Sequence, residues 1–457
     1  MSLVHHLKFS LSFPSGLSPG DGQSGNLLTV STDGSGRPVL RGSSLCGALR
    51  SAYARSMGES KKDGANVSKW FGLAFSDRKD QSDSRLIVAD TLLDVGLAGK
   101  AIRTHNAIDR HTGAAIHGGL FSLESFPPGT TGAVLLTLTD VSGGGGEEFL
   151  RQISGILESG IQLGGRSARG IGRVVVHSTV HRAYDLSRIE DHAAFLDVCW
   201  GKPLVGQPLA GISPQTQLSL TVTFGIPRGQ DLCVGDGDGL DHTVEPQAVV
   251  DVHGIRLWRI PGSALRGIFR GWIARLAARD RWPVADSVDR ELAERAVLGG
   301  SPKRSGRDLA WGFIEDEAER RRLQVDPSRI TCPVMRLFGS AYSKGRIHFS
   351  DSTSKVGDGQ SRMHVSIDRF SGGANDGFLF SHEAITGNAR FCVQITVDSP
   401  TEQEADWLLS SLRALDMGLL RVGSSKSSGR LCIQSPPIAS GRHSERFKDV
   451  LQPVEVK

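Results

Sequence analysis

One segment occurs twice in this chain, and the duplication limits the fold more than any other feature. Residues 108–124 read IDRHTGAAIHGGLFSLE and residues 367–383 read IDRFSGGANDGFLFSHE. Aligned without gaps at an offset of 259, ten of the 17 positions are identical. The same offset lays Gly164 on Gly423, and with it GGRSARG on GSSKSSG. Slightly different offsets pair GSSLCGALR (42–50) with GSALRGIFR (262–270), Phe71-Gly72 with Phe338-Gly339, and SRLIVAD (84–90) with GRIHFSD (345–351). The order is the same in both halves, so the chain reads as a duplicated domain. Its 457 residues divide comfortably into two cores of about 200 residues each.

Each half has one coarse pattern. An alternating strand (KFSLSF at 8–13, LSLTVTF at 218–224) leads through a Gly- and Asp-rich loop to a helix starting at Ser43-Ser44 or Ser263, residue types that cap free N–H groups. A second strand (SRLIVADTLL, GRIHFSDS), the IDR segment and a third strand (VLLTLTD at 134–140, FCVQITV at 391–397) follow. An amphipathic helix and a glycine-rich turn then lead into a last strand. The order β-α-β-β-α-β predicts an α+β chain with two tandem ferredoxin-like, RRM-like domains. We place the first at 1–199, a Pro- and Gly-spaced linker at 200–215, and the second at 216–457. Residues 284–330, with no counterpart in the first half and with Glu and Arg at helical spacing, are expected to form an inserted helical element.

Bulk charge narrows the function little. The net charge is +4, so nucleic-acid binding must rest on where the arginines sit. No window approaches the roughly 18 apolar residues of a membrane span, and the N-terminus carries no signal-peptide pattern, so no membrane partner and a cytoplasmic location are expected. Cys46, Cys199, Cys233, Cys332, Cys392 and Cys432 are scattered without a CxxC pair, which argues against a disulfide framework and a four-thiolate zinc site.

The turn Leu163-Gly164-Gly165-Arg166-Ser167-Ala168-Arg169-Gly170-Ile171-Gly172-Arg173 is the most informative stretch. Glycines let backbone N–H groups approach a phosphate, and the interleaved Arg and Ser add charged and neutral donors. Its second copy carries Ser424, Ser425, Lys426 and Ser427. It is not a P-loop, because Ile171 and not Lys follows Gly170, nor a dinucleotide fingerprint, because it runs from a helix into a strand. An ordinary αβ turn with solvated arginines is the competing reading, and the recurrence of Gly, Ser and basic residues favours RNA backbone binding. The helices opening at Ser43, Ser44 and Ser263 also carry Arg50, Arg266 and Arg270, and a helix N-terminus can hold a phosphate.

GSSLCGALR and PGSALRGIFR resemble the PGSSLKGALR segment of RAMP-superfamily proteins, the repeat-building subunits of type III CRISPR effectors. The FG element, the SRLxVxD strand, the IxRxTGxA…LFxxE segment and the glycine-rich turn follow in that family's order. The resemblance covers both halves apart from 284–330. It implies a backbone subunit that binds CRISPR RNA and a complementary target RNA beside other subunits of a type III complex. The IDR segments resemble the family's thumb hairpin, which inserts between guide and target and flips a base; Arg110 and Arg369 would then face phosphate or the displaced base.

Active relatives cut target RNA with a divalent metal such as Mg²⁺ and an Asp in the loop after the first strand, where a carboxylate can offset charge developing on the phosphate. Counting back over the family's spacing lands on Asn26 in the first half and Glu245 in the second, both departures from that pattern. Asp21 and Asp33 in the first loop, and Asp236, Asp238 and Asp241 in the second, are acids close by. The candidate catalytic set is therefore Asp33, Asp241 and Glu245, with the acidic loop as candidate metal site. A non-catalytic scaffold is the main alternative. A metal-independent processing endonuclease, which would want a histidine such as His177 or His181 near the turn, is the other. Zinc is not expected, since Met335 stands where some relatives have a second Cys after Cys332.

Overall fold

The computed structural model describes residues 3–24, 27–59, 64–73, 82–106, 108, 121–141, 144–164, 167–235, 243–284, 332–340, 344–355, 359–423, 428–448 and 450. The chain divides into two units. The first comprises Met1–Ser167, Ile171–Gln215 and Val249–Arg256; the second comprises Ala168–Gly170, Thr216–Ala248 and Leu257–Lys457. The stretch 200–215 belongs to the first unit, where Gln207 exchanges backbone hydrogen bonds with His181 (2.8 and 3.0 Å). The insertion at 284–330 falls outside the described residues, apart from Val284.

In the first unit the core strands are β1 (Leu3–Phe13), β2 (Leu86–Val88) with its continuation β3 (Thr91–Asp94), β6 (Thr130–Asp140) and β7 (Val175–Asp185). They lie in the order β7-β1-β6-β2/β3, all antiparallel. This is the fourth-first-third-second order of a ferredoxin-like sheet. Between β3 and β6 a hairpin of β4 (Ala101–His105) and β5 (Phe121–Ser125) is inserted, with Ile102 facing Glu124. Alternation along β1 sends Leu7, Phe9, Leu11 and Phe13 into the core. They meet Leu45, Leu49 and Tyr53 of α1 (Gly42–Met57) and Phe149, Leu150 and Ile153 of α3 (Gly146–Glu158). The FG element ends a short helix, α2 (Ala65–Phe71), whose Trp70 stacks on Phe149 at 4.7 Å. Helix α4 (Ile189–Cys199) follows β7 and stacks Phe195 on His6 at 5.0 Å.

The second unit repeats the plan. Strands β8 (Gln217–Gly225), β11 (Ile347–Phe349), β14 (Arg390–Asp398), β15 (Cys432–Ile433) and β16 (Ile438–Gly441) give the order β11-β14-β8, with β15 and β16 both paired to the far edge of β8. Leu218, Leu220, Val222 and Phe224 of β8 pack on Leu265, Phe269 and Ile273 of α5 (Gly262–Arg279) and on Trp407, Leu408 and Leu412 of α7 (Glu402–Asp416). The FG element again ends a short helix, α6 (Pro333–Phe338). A capping box between Thr401 and Glu404 starts α7. The inserted hairpin is longer here, β12 (Gly359–Ile367) against β13 (Ala374–Thr386). Two short strands, β9 (Asp231–Leu232) and β10 (Thr243–Val244), flank β13.

The N-termini of α1 and α5 differ from the sequence expectation. Their caps are Arg41 and Pro261, and no serine side chain caps either helix. A carboxylate comes instead from the end of the second core strand: Gly42 N–H donates to Asp90 Oδ1 at 2.7 Å, and Gly262 N–H to Asp351 Oδ1 at 2.9 Å. Ser43 and Ser44 sit exposed in the first turn, and Ser263 is half-buried.

Candidate nucleic-acid interface

The glycine-rich turns are closed in the same way in both units. Leu163 N–H donates to Gly172 O (2.7 Å), and Val422 N–H to Gly429 O (2.9 Å). Both closing glycines have positive φ, and an added Cβ would lie 2.0 Å from Leu163 O or 1.9 Å from Val422 O. The opening glycines Gly164 and Gly423 press on the carbonyls of Ser18 and Cys233 in the same fashion. Only glycine fits such positions without the backbone opening. The ungapped alignment therefore holds at Gly164 and Gly423, but Gly429 is the counterpart of Gly172 and not of Gly170. The second turn is shorter by two residues, and Gly170 has no equivalent. Gly165 and Arg166, and Ser424, Ser425, Lys426 and Ser427, lie outside the described residues; Ser167 opens a short 3₁₀ turn that ends at Arg169.

Arg169, Arg266 and Arg270 are brought together in the second unit. Asp351 N–H donates to Gly170 O at 2.7 Å, which sets the Ala168–Gly170 segment beside the start of α5. Burial pulls the Arg266 guanidinium down to about 10, and repulsion from Arg270 and Arg169 adds to the shift. Arg266 also donates to Phe338 O and lies over the Phe338 ring, 5.5 Å from its centroid. Arg266, largely desolvated, thus faces two further positive charges beside the start of α5, an arrangement that attracts an anion.

The matching arginine of the first unit is differently used. Arg50 donates to Phe71 O (3.2 Å) and Gly72 O (2.9 Å), so it ties α1 to the FG element. The place of Arg266 is taken by Cys46, whose thiol burial pushes up. Arg41 reaches Asp90 (3.1 Å), Ser31 Oγ (3.1 Å) and Thr32 O (2.8 Å).

Asp33 serves its own turn. Its carboxylate accepts from the N–H groups of Ser35 and Arg37, both at 2.9 Å, and from Arg37 Nε at 2.7 Å. The Arg37 backbone N–H, above all, holds its carboxyl below the usual range. Glu245 is exposed, next to Pro246, whose backbone bridges to Gly235 across the base of the acidic loop. Asp236, Asp238 and Asp241 lie outside the described residues. Among the described residues no three His, Cys, Asp or Glu side chains converge as metal ligands. His177 Nε2 is 2.7 Å from Ser12 Oγ, and His181 stacks on His5 with 3.1 Å between ring nitrogens.

The hairpin of the second unit carries Arg369 exposed at its tip, in a turn held by Asp368, which accepts from Phe370 N–H (2.8 Å) and Ser371 N–H (2.7 Å). Phe370 beside it is 91% exposed, and Met363, Val365 and Ile367 line one exposed face of β12. Arg110, its counterpart in the first IDR segment, lies outside the described residues.

Sequence reasoning missed one further pair. Arg103 and His105 of β4 stand 259 positions before Arg362 and His364 of β12, in register with the IDR repeat. Their signal was present just upstream of the compared block. His364 stacks on His382 of β13 with centroids 4.6 Å apart, and His105 stacks on Phe121 at 5.5 Å.

A family model for the RAMP superfamily matches residues 17–175 and 231–430, one stretch in each half of the chain. Among curated proteins no match is found. No helix among the described residues is long and apolar enough to cross a membrane.

Proposed function

The chain belongs to the RAMP superfamily, whose members are CRISPR-associated RNA-binding proteins, and from that premise we propose that it is a backbone subunit of a type III CRISPR effector. Each ferredoxin-like unit grips guide RNA, and the chain presents complementary target RNA beside other subunits. The observation that carries this reading is the cluster of Arg169, Arg266 and Arg270 beside the start of α5. Phosphates of the guide are attracted to this positive cluster. The exposed apolar face and tip of the β12–β13 hairpin, with Arg369, suit stacking against bases splayed from a strand.

Our reading extends to metal-dependent cleavage of target RNA at the acidic loop of the second unit, through Asp236, Asp238, Asp241 and Glu245. Asp33 we assign to turn closure, because its carboxylate already accepts three hydrogen bonds. The described residues alone do not compose a ligand set for Mg²⁺, so no step is drawn through the metal. The second reading is a scaffold that positions RNA for cutting by other subunits.

Two measurements test the proposal. Arg169→Ala should weaken guide binding about three- to tenfold and lower the salt slope by roughly 0.7 of a counterion; unchanged affinity and slope would remove the cation cluster from the interface. Cleavage of labelled complementary RNA by the guide-loaded complex, with Mg²⁺ and with EDTA, separates nuclease from scaffold. Cuts lost in Asp241→Ala or Glu245→Ala but kept in Asp33→Ala support the acidic loop. Cuts unchanged in all three variants leave the scaffold.

A further inference from the structure

In both units the segment leaving the first core strand is a hub for three elements. In the first unit, Leu17 and Phe126 exchange backbone hydrogen bonds (3.3 and 2.7 Å), tying the segment to the returning side of the hairpin. Gly172 N–H, the closing residue of the glycine-rich turn, donates to Gly16 O at 2.8 Å. Arg103, on the outgoing hairpin strand and buried, donates from Nη2 to Ser15 O at 3.3 Å. In the second unit, Asp231 and Leu232 pair with Thr386 and Ile385 of the returning hairpin strand. Gly429 N–H donates to Asp231 O at 2.8 Å, and Arg362 Nε reaches Asp231 Oδ2 at 3.4 Å.

The correspondence is position by position: Leu17 with Leu232, Gly16 with Asp231, Phe126 with Ile385, Gly172 with Gly429 and Arg103 with Arg362. Two independent copies therefore preserve one wiring, although the acceptor of the arginine changes from a backbone carbonyl to a carboxylate. Each hairpin belongs to a small four-stranded sheet separate from the core sheet of its unit, so its direction is set where that small sheet joins the hub. There the returning strand is held by the ladder to the hub. The arginine ties the outgoing strand to that hub.

We infer that Arg103 and Arg362 are positioning residues, each locking its hairpin to the anchor of the neighbouring glycine-rich turn and so fixing the distance between the backbone grip and the hairpin tip. In a guide-binding subunit that distance decides which nucleotide of the guide–target duplex the hairpin displaces. The inference rests on the function proposed above. A planar guanidinium suits the role, since it holds its direction while its stem packs along the strand.

The test uses the full chain loaded with guide RNAs carrying 2-aminopurine at successive positions and paired to a complementary RNA. A displaced, unstacked base is bright, so the wild type should show one bright position for each hairpin. In Arg362→Ala the bright position of the second hairpin should dim roughly threefold and spread to its neighbours, the size expected when a half-exposed ion pair is lost. Guide affinity should stay within about twofold, because the turn itself is untouched. Asp231→Asn, which keeps the carbonyl that Gly429 needs, should show the same blurring, and the exchange Asp231→Arg with Arg362→Asp should restore a single position. A sharp, unmoved pattern in both Arg362→Ala and Asp231→Asn overturns the inference, as does loss of guide binding by folded Arg362→Ala, which would make Arg362 a direct contact. A wild type with no bright position at all overturns instead the reading of the hairpins as base-displacing elements.

Discussion

The two units solve one structural problem with different residues. Each must hold the first N–H of its main helix, and each does so with the aspartate that ends the second core strand. In the first unit that aspartate meets Arg41 near the surface, with side chains 39% and 53% exposed for Arg41 and Asp90. In the second it meets Arg259 in the interior, 3.6 Å away, with exposures of 5% and 1% for Arg259 and Asp351. The FG carbonyl shows the same freedom, held by Arg50 in one unit and by Arg266, four positions earlier in the aligned helix, in the other. The role is kept while the residue that fills it moves. One consequence is electrostatic: by placing a cation where the first unit has Cys46, the second unit builds the repelling cluster with Arg169 and Arg270.

The largest expected effect breaks this symmetry at the helix starts. Asp351→Ala leaves Arg259 in the interior without its carboxylate and takes the acceptor from Gly262 N–H; it should destabilise the second unit by about 3–5 kcal/mol. Asp90→Ala loses a largely solvated pair and one cap, about 1 kcal/mol. Urea unfolding of the two variants should show that difference, and equal losses would mean that the burial contrast carries no energetic weight.

A substitution at the turn bases should instead treat the units alike. Gly172→Ala and Gly429→Ala each force a Cβ against a carbonyl oxygen at about the same separation and at positive φ. Each should cost about 2–4 kcal/mol, or open the turn and lose guide affinity in proportion. Thermal melting together with guide binding would check this. A tolerated change in one unit only would mean that its turn adopts another closure when RNA is bound.

Much of this plan was legible in the sequence, and what escaped shares a physical cause. The repeat fixed the strand order, because IDR, FG and the glycine-rich turn are local motifs that keep their spacing when a domain is duplicated. The helix caps were misread because Ser43, Ser44 and Ser263 are locally good caps, while the carboxylates that do the capping arrive from Asp90 and Asp351, across the fold. The same holds for Arg103 and Arg362: alternation places them on a strand, but their acceptors belong to a segment far away along the chain. The turn role of Asp33 was legible as well, since Asp33-Gly34-Ser35-Gly36-Arg37 has the composition of a turn that an aspartate closes on its own backbone. The two-residue difference between the glycine-rich turns was invisible because Gly170 and Gly429 align equally well by type.

The smallest effect sharpens the comparison through acid. Burial lowers His5, His6 and His181 in the first unit, and His382 in the second. Each of these folded-state groups prefers to stay neutral, so below the ordinary histidine range the unfolded chain takes up protons that the folded chain does not. Their stabilising contribution is present above about pH 6.5 and is lost as the pH falls through the lowered values. The neighbours modulate this without reversing it. Asp140 and Glu147 favour protonation of His5; Glu147 does so for His181, which Arg151 and His5 oppose. Asp231 favours it at His382, against His364 and Arg362. With three such histidines along β1 and β7, the first unit should loosen before the second. Hydrogen-exchange mass spectrometry at about pH 7.5 and about pH 5.5, corrected for intrinsic exchange, should show β1 and β7 losing protection before β12 and β13. The reverse order would mean that the His364–His382 stack, and not the His5–His181 pair, is the acid-sensitive joint of the molecule.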